Sequence, residues 1–188
     1  MELNKEILQL INDCRSHLEA AQKKLFIILA PKIKTLCVRY SRTDEDAKDD
    51  FQDCMIKIFS HLNDFDAQRG EFFAWAYQVG RNTICSKLRK QKIKWDELKS
   101  EHISDQISEA GIDRQLETEE MLSLIQQMPV GYKAVLNLYV FEECSHKEIG
   151  ELLGINESTS RSQLNRARMW LKAKISESKL VSYEKAII

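Results

Sequence analysis

Breaker residues are scarce in this sequence. It contains six Gly and two Pro among 188 residues, about 4% of the chain against an average near 12%. A β-sandwich or barrel needs many tight turns, so this scarcity argues against both and favours long helices. Hydrophobic residues make up 43% of the chain, which is enough for a core and too many for a disordered protein.

Long apolar runs and paired cysteines are also absent. The longest wholly apolar run, Leu25–Ala30, has six residues, whereas a membrane-spanning helix needs about 20. The first residues are too polar for a signal peptide. Five cysteines lie at least 17 residues apart with no CxxC pair, so a zinc site is not expected. We therefore expect a cytoplasmic protein with reduced cysteines, no membrane insertion, no metal and no cofactor.

A net charge is missing too, because 28 basic residues oppose 29 acidic ones and the formal charge is −1. The sum conceals four blocks along the chain, with net charges of −6 over 43–66, +6 over 81–94, −7 over 96–120 and +4 over 156–174. Each basic block follows an acidic one. This segregation predicts two separate elements that face DNA.

The polar segment 96–113 has too few apolar residues for a core helix and is predicted to be a linker. We therefore predict an all-α protein of two small helical domains, the second a helix-turn-helix, joined by an acidic linker. The predicted boundaries are 1–95 for the first domain, 96–113 for the linker, 114–176 for the second domain and 177–188 for a tail.

The first domain shows helical periodicity with recognisable start signals. One helical stretch is predicted to run to about Leu29, and Pro31 suits the first turn of the next helix. Thr43 is a predicted N-cap, followed by three acidic residues at the positive end of the helix dipole. In the helix after Thr43, the apolar residues recur at three- and four-residue spacing and predict a core stripe: Ala47, Phe51, Cys54, Met55, Ile58 and Leu62.

An acidic stripe lies opposite that core stripe and contains Asp46, Asp49, Asp50 and Asp53. Its spacing is compatible with a solvated surface, with a site for a basic partner helix, or with a metal site. A metal-dependent phosphohydrolase would use the third possibility, although the chain has no paired His ligands and no phosphate-binding Gly loop.

A long helix is predicted from Glu71 to about Lys94, aromatic at its start and basic in its second half. Phe72, Trp75 and Val79 are assigned to the core. Phe73 and Tyr77 lie off that stripe. They either stack on nucleic-acid bases, as aromatic residues beside basic ones do in single-strand binders, or are partly buried in a neighbouring helix.

The second domain contains the pattern of a helix-turn-helix. Ser145 and Glu148 have the spacing of a capping box, Gly154 suits a left-handed C-cap, and Asn156 can cap a basic helix from Glu157 to about Ile175. A helix of this kind fits the major groove of DNA, where Arg pairs with guanine and Gln or Asn with adenine. The alternative is an ordinary helical hairpin with a solvated basic face.

Over residues 20–175 the chain resembles the extracytoplasmic-function (ECF) group of the sigma-70 family of RNA polymerase sigma factors, which keeps regions 2 and 4. The matching motifs are DAKDDFQD at 46–53, GEFFAW at 70–75, VGRNT at 79–83, MPVGYKAVL at 128–136 and the helix-turn-helix that ends at Arg166–Arg168. Ser160 and Asn165 depart from the family, which often has apolar or aromatic residues at those positions.

The resemblance implies three sets of contact residues. Those implied for core RNA polymerase are Asp46, Asp49, Asp50, Gln52, Asp53 and Lys57. Those implied for the −10 promoter element are Asn63, Phe65, Arg81, Asn82, Ser86, Lys87, Arg89 and Lys90. Those implied for the −35 element are Thr159, Ser160, Arg161, Ser162, Gln163, Asn165, Arg166 and Arg168.

The resemblance further implies that the chain is not an enzyme. It would direct core RNA polymerase to promoters, recognise the −35 and −10 elements, melt the −10 element with capture of a flipped base, and be held by an anti-sigma factor. The alternative is a conventional helix-turn-helix regulator with an N-terminal sensing or dimerisation domain. The basic block at 81–94 argues against that alternative, because a sensing domain has no use for it.

Overall fold

A computed structural model of the protein describes residues 2–91 and 118–185. All regular structure in these ranges is helical, which confirms the predicted fold class. The helices are α1 (Glu2–Arg15), α2 (Glu19–Tyr40), α3 (Asp44–Ser60), α4 (Phe72–Lys90), α5 (Thr118–Gln127), α6 (Val130–Leu136), α7 (His146–Leu153) and α8 (Glu157–Lys185), with a 3₁₀ turn at Leu62–Asp64 and a π-helical segment at Asn137–Phe141.

The chain divides into two compact units, and the division falls between Lys87 and Leu88 inside α4. The predicted linker 96–113 lies outside the described residues. In the second unit α8 continues to Lys185, so residues 177–185 of the predicted tail are helical.

The core of the first unit is built on α2, which packs against α1 and α3. α2 passes through Pro31 without a break, so the prediction that a new helix begins at Pro31 is wrong. A proline inside a helix costs about 3 kcal/mol. Leu25, Leu29 and Ile33 lie on both sides of it and are almost fully buried, and burial of each such side chain stabilises the fold by about 1.5–3 kcal/mol.

The predicted stretch up to Leu29 is in fact two helices. His17 has φ 61°, in the left-handed region. The N–H groups of His17 and Leu18 donate to the carbonyls of Cys14 and Asp13, the pattern of a Schellman cap. α1 therefore ends at Arg15 although no glycine marks the break.

Candidate functional site

The acidic face of α3 is held in place by a cap that the sequence predicted. Thr43 Oγ1 accepts a hydrogen bond from the Asp46 N–H at 3.0 Å. Most of the residues assigned to polymerase contact lie exposed along the outer side of this helix: Asp46, Asp49, Gln52, Asp53 and Lys57. We call these five residues the acidic face.

Asp50 does not belong to that face, because its side chain points into the protein and the residue is only 8% exposed. Ser41 Oγ donates to Asp50 Oδ2 at 2.8 Å, and Lys87 Nζ lies 2.6 Å from Asp50 Oδ1. The hydrogen bond to Asp50 raises the pKa of Lys87. We therefore correct the assignment of Asp50 to polymerase and of Lys87 to DNA, because the two residues bind each other.

Ile56 lies in the middle of the polar side of α3 and is 68% exposed. It lies three residues after Asp53 and four after Gln52, on the same side of the helix. The sequence analysis missed it. The signal was an isoleucine outside the core stripe, on the side of the helix that carries the acidic face.

A cleft of about 350 Å³ opens beside the start of α4, lined by Asp64, Phe65, Asp66, Arg69, Gly70, Glu71, Ala74, Trp75 and Gln78. Its loop is shaped by Asp66, whose carboxylate accepts the Gln68 N–H at 2.9 Å and lies 3.6 Å from Arg69 Nε. Three carboxylates and aromatic rings at one cleft suit a planar ligand with hydrogen-bond donors.

Phe65 was assigned to DNA contact, but its side chain is only 7% exposed. Its ring packs against Phe72 and Trp75 at centroid distances of 5.2 and 5.5 Å. The structure therefore corrects its role to that of a cleft wall. Asn63, its neighbour in the loop, is exposed.

The DNA candidates on α4 form a row that leads away from the cleft. Ala74, Gln78, Asn82, Ser86 and Lys90 follow one another at four-residue spacing on one side of the helix, and all are exposed except Ser86, which is half-buried. Of the remaining candidates Arg89 is exposed, whereas Arg81 is half-buried and reaches Asn82 at 3.4 Å. Gln78 was missed by the sequence analysis, although its position four residues before Asn82 indicated it.

Phe73 and Tyr77, for which the sequence left stacking or burial open, are both half-buried. Phe73 packs on the edge of Phe72. The Tyr77 hydroxyl accepts a hydrogen bond from Arg39, and Lys32 Nζ lies 5.9 Å from its ring centroid. These contacts favour partial burial in the first unit.

The helix-turn-helix has the local geometry that the sequence predicted. Ser145 and Glu148 form the capping box, and the N–H of Thr159 donates to the Asn156 side chain at 2.7 Å. Gly154 is left-handed with φ 69°. Gly150 is required by the turn itself, because a Cβ there would lie 2.7 Å from the Ile155 carbonyl oxygen.

The residues assigned to the −35 element divide into outer and inner sets. Four are exposed along one side of α8: Arg161, Ser162, Asn165 and Arg168. Thr159 and Arg166 are half-buried. We call these six residues the reading face. Ser160 and Gln163 have 0% exposure, so their assignment to base contact is corrected to helix packing.

Ser160 is fixed by His146, the first residue of α7. His146 Nδ1 and Ser160 Oγ are 2.9 Å apart, and the imidazole stacks on Tyr139 with centroids 4.9 Å apart. Burial, followed by the cation of Arg161, lowers the pKa of His146. The guanidinium of Arg168 lies over the Tyr139 ring, 5.8 Å from its centroid.

Over residues 2–91 and 118–185, His, Cys, Asp and Glu side chains form no group of three or more that could hold a metal ion. In the same ranges no helix combines the length and the apolar character needed to cross a membrane.

Comparison with known proteins identifies the two units. The family model for sigma-70 region 2 matches residues 25–93 and that for sigma-70 region 4 matches residues 118–171. The RNA polymerase sigma factor SigZ of Bacillus subtilis is 33% identical over 131 residues, which cover 69% of this chain and 73% of SigZ. The chain belongs to the sigma-70 family.

Other relatives place this sigma factor in the ECF group. The ECF RNA polymerase sigma factor SigM of Bacillus subtilis is 29% identical over 135 residues, covering 68% of this chain and 78% of SigM. Among solved structures, the sigma factor RpoE of Bartonella quintana, in complex with the anti-sigma factor NepR, has the same fold with a TM-score of 0.50 and 18% identity, over 82% of this chain and 96% of RpoE.

Proposed function

We propose that this sigma factor binds core RNA polymerase in the cytoplasm, directs it to promoters by recognising the −35 and −10 elements, and melts the −10 element. It does so as a non-catalytic subunit. The observation that carries the proposal is the separation of charge on the folded chain. The outer side of α3 is acidic, whereas α4 ends in basic residues and α8 presents arginines on its exposed side. A conventional regulator would need only the second basic element.

The acidic face of α3, together with Ile56, is the proposed polymerase-binding surface. Its charges are exposed and available to a basic partner, and Ile56 supplies apolar area at the centre of the patch. In an interface of this kind, the charged residues at the rim steer the partner during encounter, and the apolar residues at the centre are removed from water on binding.

The cleft and the row on α4 are the proposed −10 site. A base extruded from the duplex needs a pocket with an aromatic surface and polar groups that read its edge. Trp75 supplies the aromatic surface at the cleft and Asp64, Asp66 and Glu71 supply acceptors. The row Gln78, Asn82, Ser86 and Lys90 then follows the displaced strand toward the basic end of the helix, where Arg89 adds charge.

The reading face of α8 is the proposed −35 site. The first helix of a helix-turn-helix crosses the DNA backbone, and the second enters the major groove. Arg161 and Asn165 are exposed on adjacent turns, and side chains of these types contact guanine and adenine edges.

An anti-sigma factor is the proposed regulatory partner. The solved relative from Bartonella quintana was crystallised with one. Because the acidic face and the reading face are both exposed in the free chain, a protein that covers either one would keep this sigma factor from polymerase or promoter.

Transcription with purified core RNA polymerase tests the proposal. The wild-type chain added to core enzyme should start transcripts at specific promoters without any other initiation factor. A conventional regulator cannot replace a sigma factor, so absence of promoter-specific transcripts would overturn the proposal.

Charge reversal tests the polymerase surface. Asp49→Lys combined with Asp53→Lys should weaken binding to core enzyme by about tenfold or more, since like charges that face each other across an interface cost several kcal/mol. The matched control is Glu6→Lys with Glu19→Lys, which makes the same change in net charge at exposed positions away from the acidic face. Equal loss in both variants would contradict the assignment.

Removal of one arginine tests the −35 site. Arg161→Ala should cost about 1–3 kcal/mol of promoter binding and relax the base preference at one position of the −35 element. Lys34→Ala, which removes one exposed positive charge from α2, serves as the control and should leave that preference unchanged. Identical base preferences in the two variants would contradict the assignment of the reading face.

A further inference from the structure

The end of α1 is tied to the loop that forms one wall of the cleft. Arg15 Nε and Nη2 donate to the Leu62 carbonyl at 3.2 and 3.0 Å, and Nη2 also donates to the Phe65 carbonyl at 2.7 Å. These carbonyls lie 47 and 50 residues from Arg15 along the chain. A single guanidinium thus holds both ends of the 3₁₀ turn.

Arg15 is itself held in a defined position. It is the last residue of α1, directly before the Schellman cap at His17. The preceding turns of α1 are anchored through Ile11 and Cys14, which are buried in the core of the first unit. The guanidinium therefore projects from a rigid helix end, which is the condition for a side chain to define the shape of a loop.

The 3₁₀ turn is held at its start by a hydrogen bond from the Asp64 N–H to the His61 carbonyl at 2.9 Å, but it is weakly held at its end. Its closing hydrogen bond, from the Phe65 N–H to the Leu62 carbonyl, is 3.4 Å long, beyond the usual N–H···O range. Asp64 and Phe65, which the turn positions, line the cleft. The planar fork of an arginine fixes the directions of its hydrogen bonds to both carbonyls, whereas a lysine ammonium, whose donors rotate on a flexible stem, would hold them less rigidly.

We infer that Arg15 is a positioning residue for base capture at the −10 element: it holds the Leu62 and Phe65 carbonyls so that the cleft wall has the shape that receives the flipped base. This inference rests on the proposed −10 site. It gives a function to α1, to which the sequence assigned no role. The match to sigma-70 region 2 begins at residue 25 and therefore does not include α1.

The test uses the full chain bound to core RNA polymerase and single-stranded oligonucleotides that carry the non-template −10 sequence of a promoter mapped from the factor's own transcripts. Arg15→Gln should weaken binding of the intact oligonucleotide by about tenfold, because hydrogen bonds from a charged group are lost. Arg15→Lys should retain part of the affinity. Lys24→Gln, which removes an exposed charge from α2, should bind as the wild type does.

An abasic scan separates positioning from general destabilisation. Each nucleotide of the −10 strand is replaced in turn by an abasic residue. An abasic residue at the captured position should strongly weaken binding by the wild type. Arg15→Gln already binds the intact strand less tightly and should be weakened little further by this abasic residue. The two proteins should therefore bind that oligonucleotide with equal affinity. If Arg15→Gln is weakened by the same factor on every oligonucleotide, the inference about Arg15 is wrong while the −10 site stands.

A second outcome bears on the site itself. If no abasic position weakens the wild type, the cleft does not capture a base, and both the proposed −10 site and the role of Arg15 are overturned. Binding of duplex −35 DNA should be the same in wild type, Arg15→Gln and Arg15→Lys, because the reading face lies in the other unit. Because −35 binding does not report on the first unit, urea unfolding checks that Arg15→Gln has folded there. If it has not, the abasic scan with Arg15→Lys decides the question.

Discussion

Lys87 Nζ lies 2.6 Å from Asp50 Oδ1 and 3.8 Å from Asp53 Oδ2. The contact joins α4 to α3, and Ser41 extends it to the end of α2. The resemblance to the sigma-70 family implied contacts of Asp50 and Lys87 with two different macromolecules. In the folded chain they instead bind each other and hold the acidic face of α3 against the helix that carries the proposed −10 row.

We predict that Lys87→Met destabilises the first unit by about 1 kcal/mol, a value between those of exposed and buried ion pairs, because Lys87 is partly exposed and Asp50 is not. Chemical denaturation measures it. Asp53→Asn is the control and should have a smaller effect, since the Asp53 carboxylate is exposed and farther from the ammonium. A larger loss in the Asp53 variant would contradict the ranking of the two contacts.

The same pair has a pH dependence of known sign. The pKa of Lys87 is raised by its hydrogen bond to Asp50, so its stabilisation is fully present below the unfolded value of about 10.4 and is lost as pH rises through the higher folded pKa. The stability difference between wild type and Lys87→Met should stay constant from neutral to mildly alkaline pH and shrink above about pH 10. A difference that already shrinks near pH 8 would contradict this.

Ile56→Glu should weaken binding to core RNA polymerase while leaving stability within about 0.5 kcal/mol, because the side chain is 68% exposed and few folded-state contacts are lost. Calorimetry with core enzyme and urea unfolding measure the two quantities. Ile27→Glu, the same substitution at a 61% exposed isoleucine of α2, is the control for the added negative charge. Unchanged polymerase affinity in Ile56→Glu would remove Ile56 from the proposed surface.

Because of His146, the free energy of unfolding of the second unit should decrease as the pH falls. Its pKa is lowered by burial and by Arg161, so the unfolded chain takes up the proton first. The stabilisation is present above the unfolded value of about 6.5 and is lost as pH falls toward the folded pKa. His146→Gln should reduce the decline in unfolding free energy between pH 7.5 and pH 5. An NMR titration that places the His146 midpoint at or above its ordinary value would contradict the prediction.

Gly150→Ala should destabilise the helix-turn-helix by about 1–3 kcal/mol, the usual cost of an overpacked position. The added methyl group would lie 2.7 Å from the Ile155 carbonyl oxygen, and backbone cannot move aside as a flexible side chain can. Glu151→Ala, at the next and exposed position of α7, is the control. Thermal unfolding and −35 binding measure the effect, and equal stability of the two variants would show that the turn relaxes freely.

Local signals in the sequence predicted local structure well. Thr43, the Ser145–Glu148 box, Gly154 and Asn156 all perform the predicted capping, because each partner atom lies within a few residues along the chain. The predictions failed where distant packing decides. Pro31 stays inside α2 because buried leucine and isoleucine side chains on both sides of it hold the helix in register. α1 ends at Arg15, before the left-handed His17, although no glycine marks the break.

The sequence by itself determined the helical fold class, the resemblance to the sigma-70 family and the segregation of acid from base, since composition, spacing and charge are properties of the chain alone. Only the tertiary structure decided which side chains on each helix face are exposed and can contact a partner. Helical periodicity shows that Asp49, Asp50 and Asp53 share a side of α3, or that Ser160 and Arg161 follow one another. It does not show which of them a neighbouring helix covers, because that depends on contacts between segments tens of residues apart.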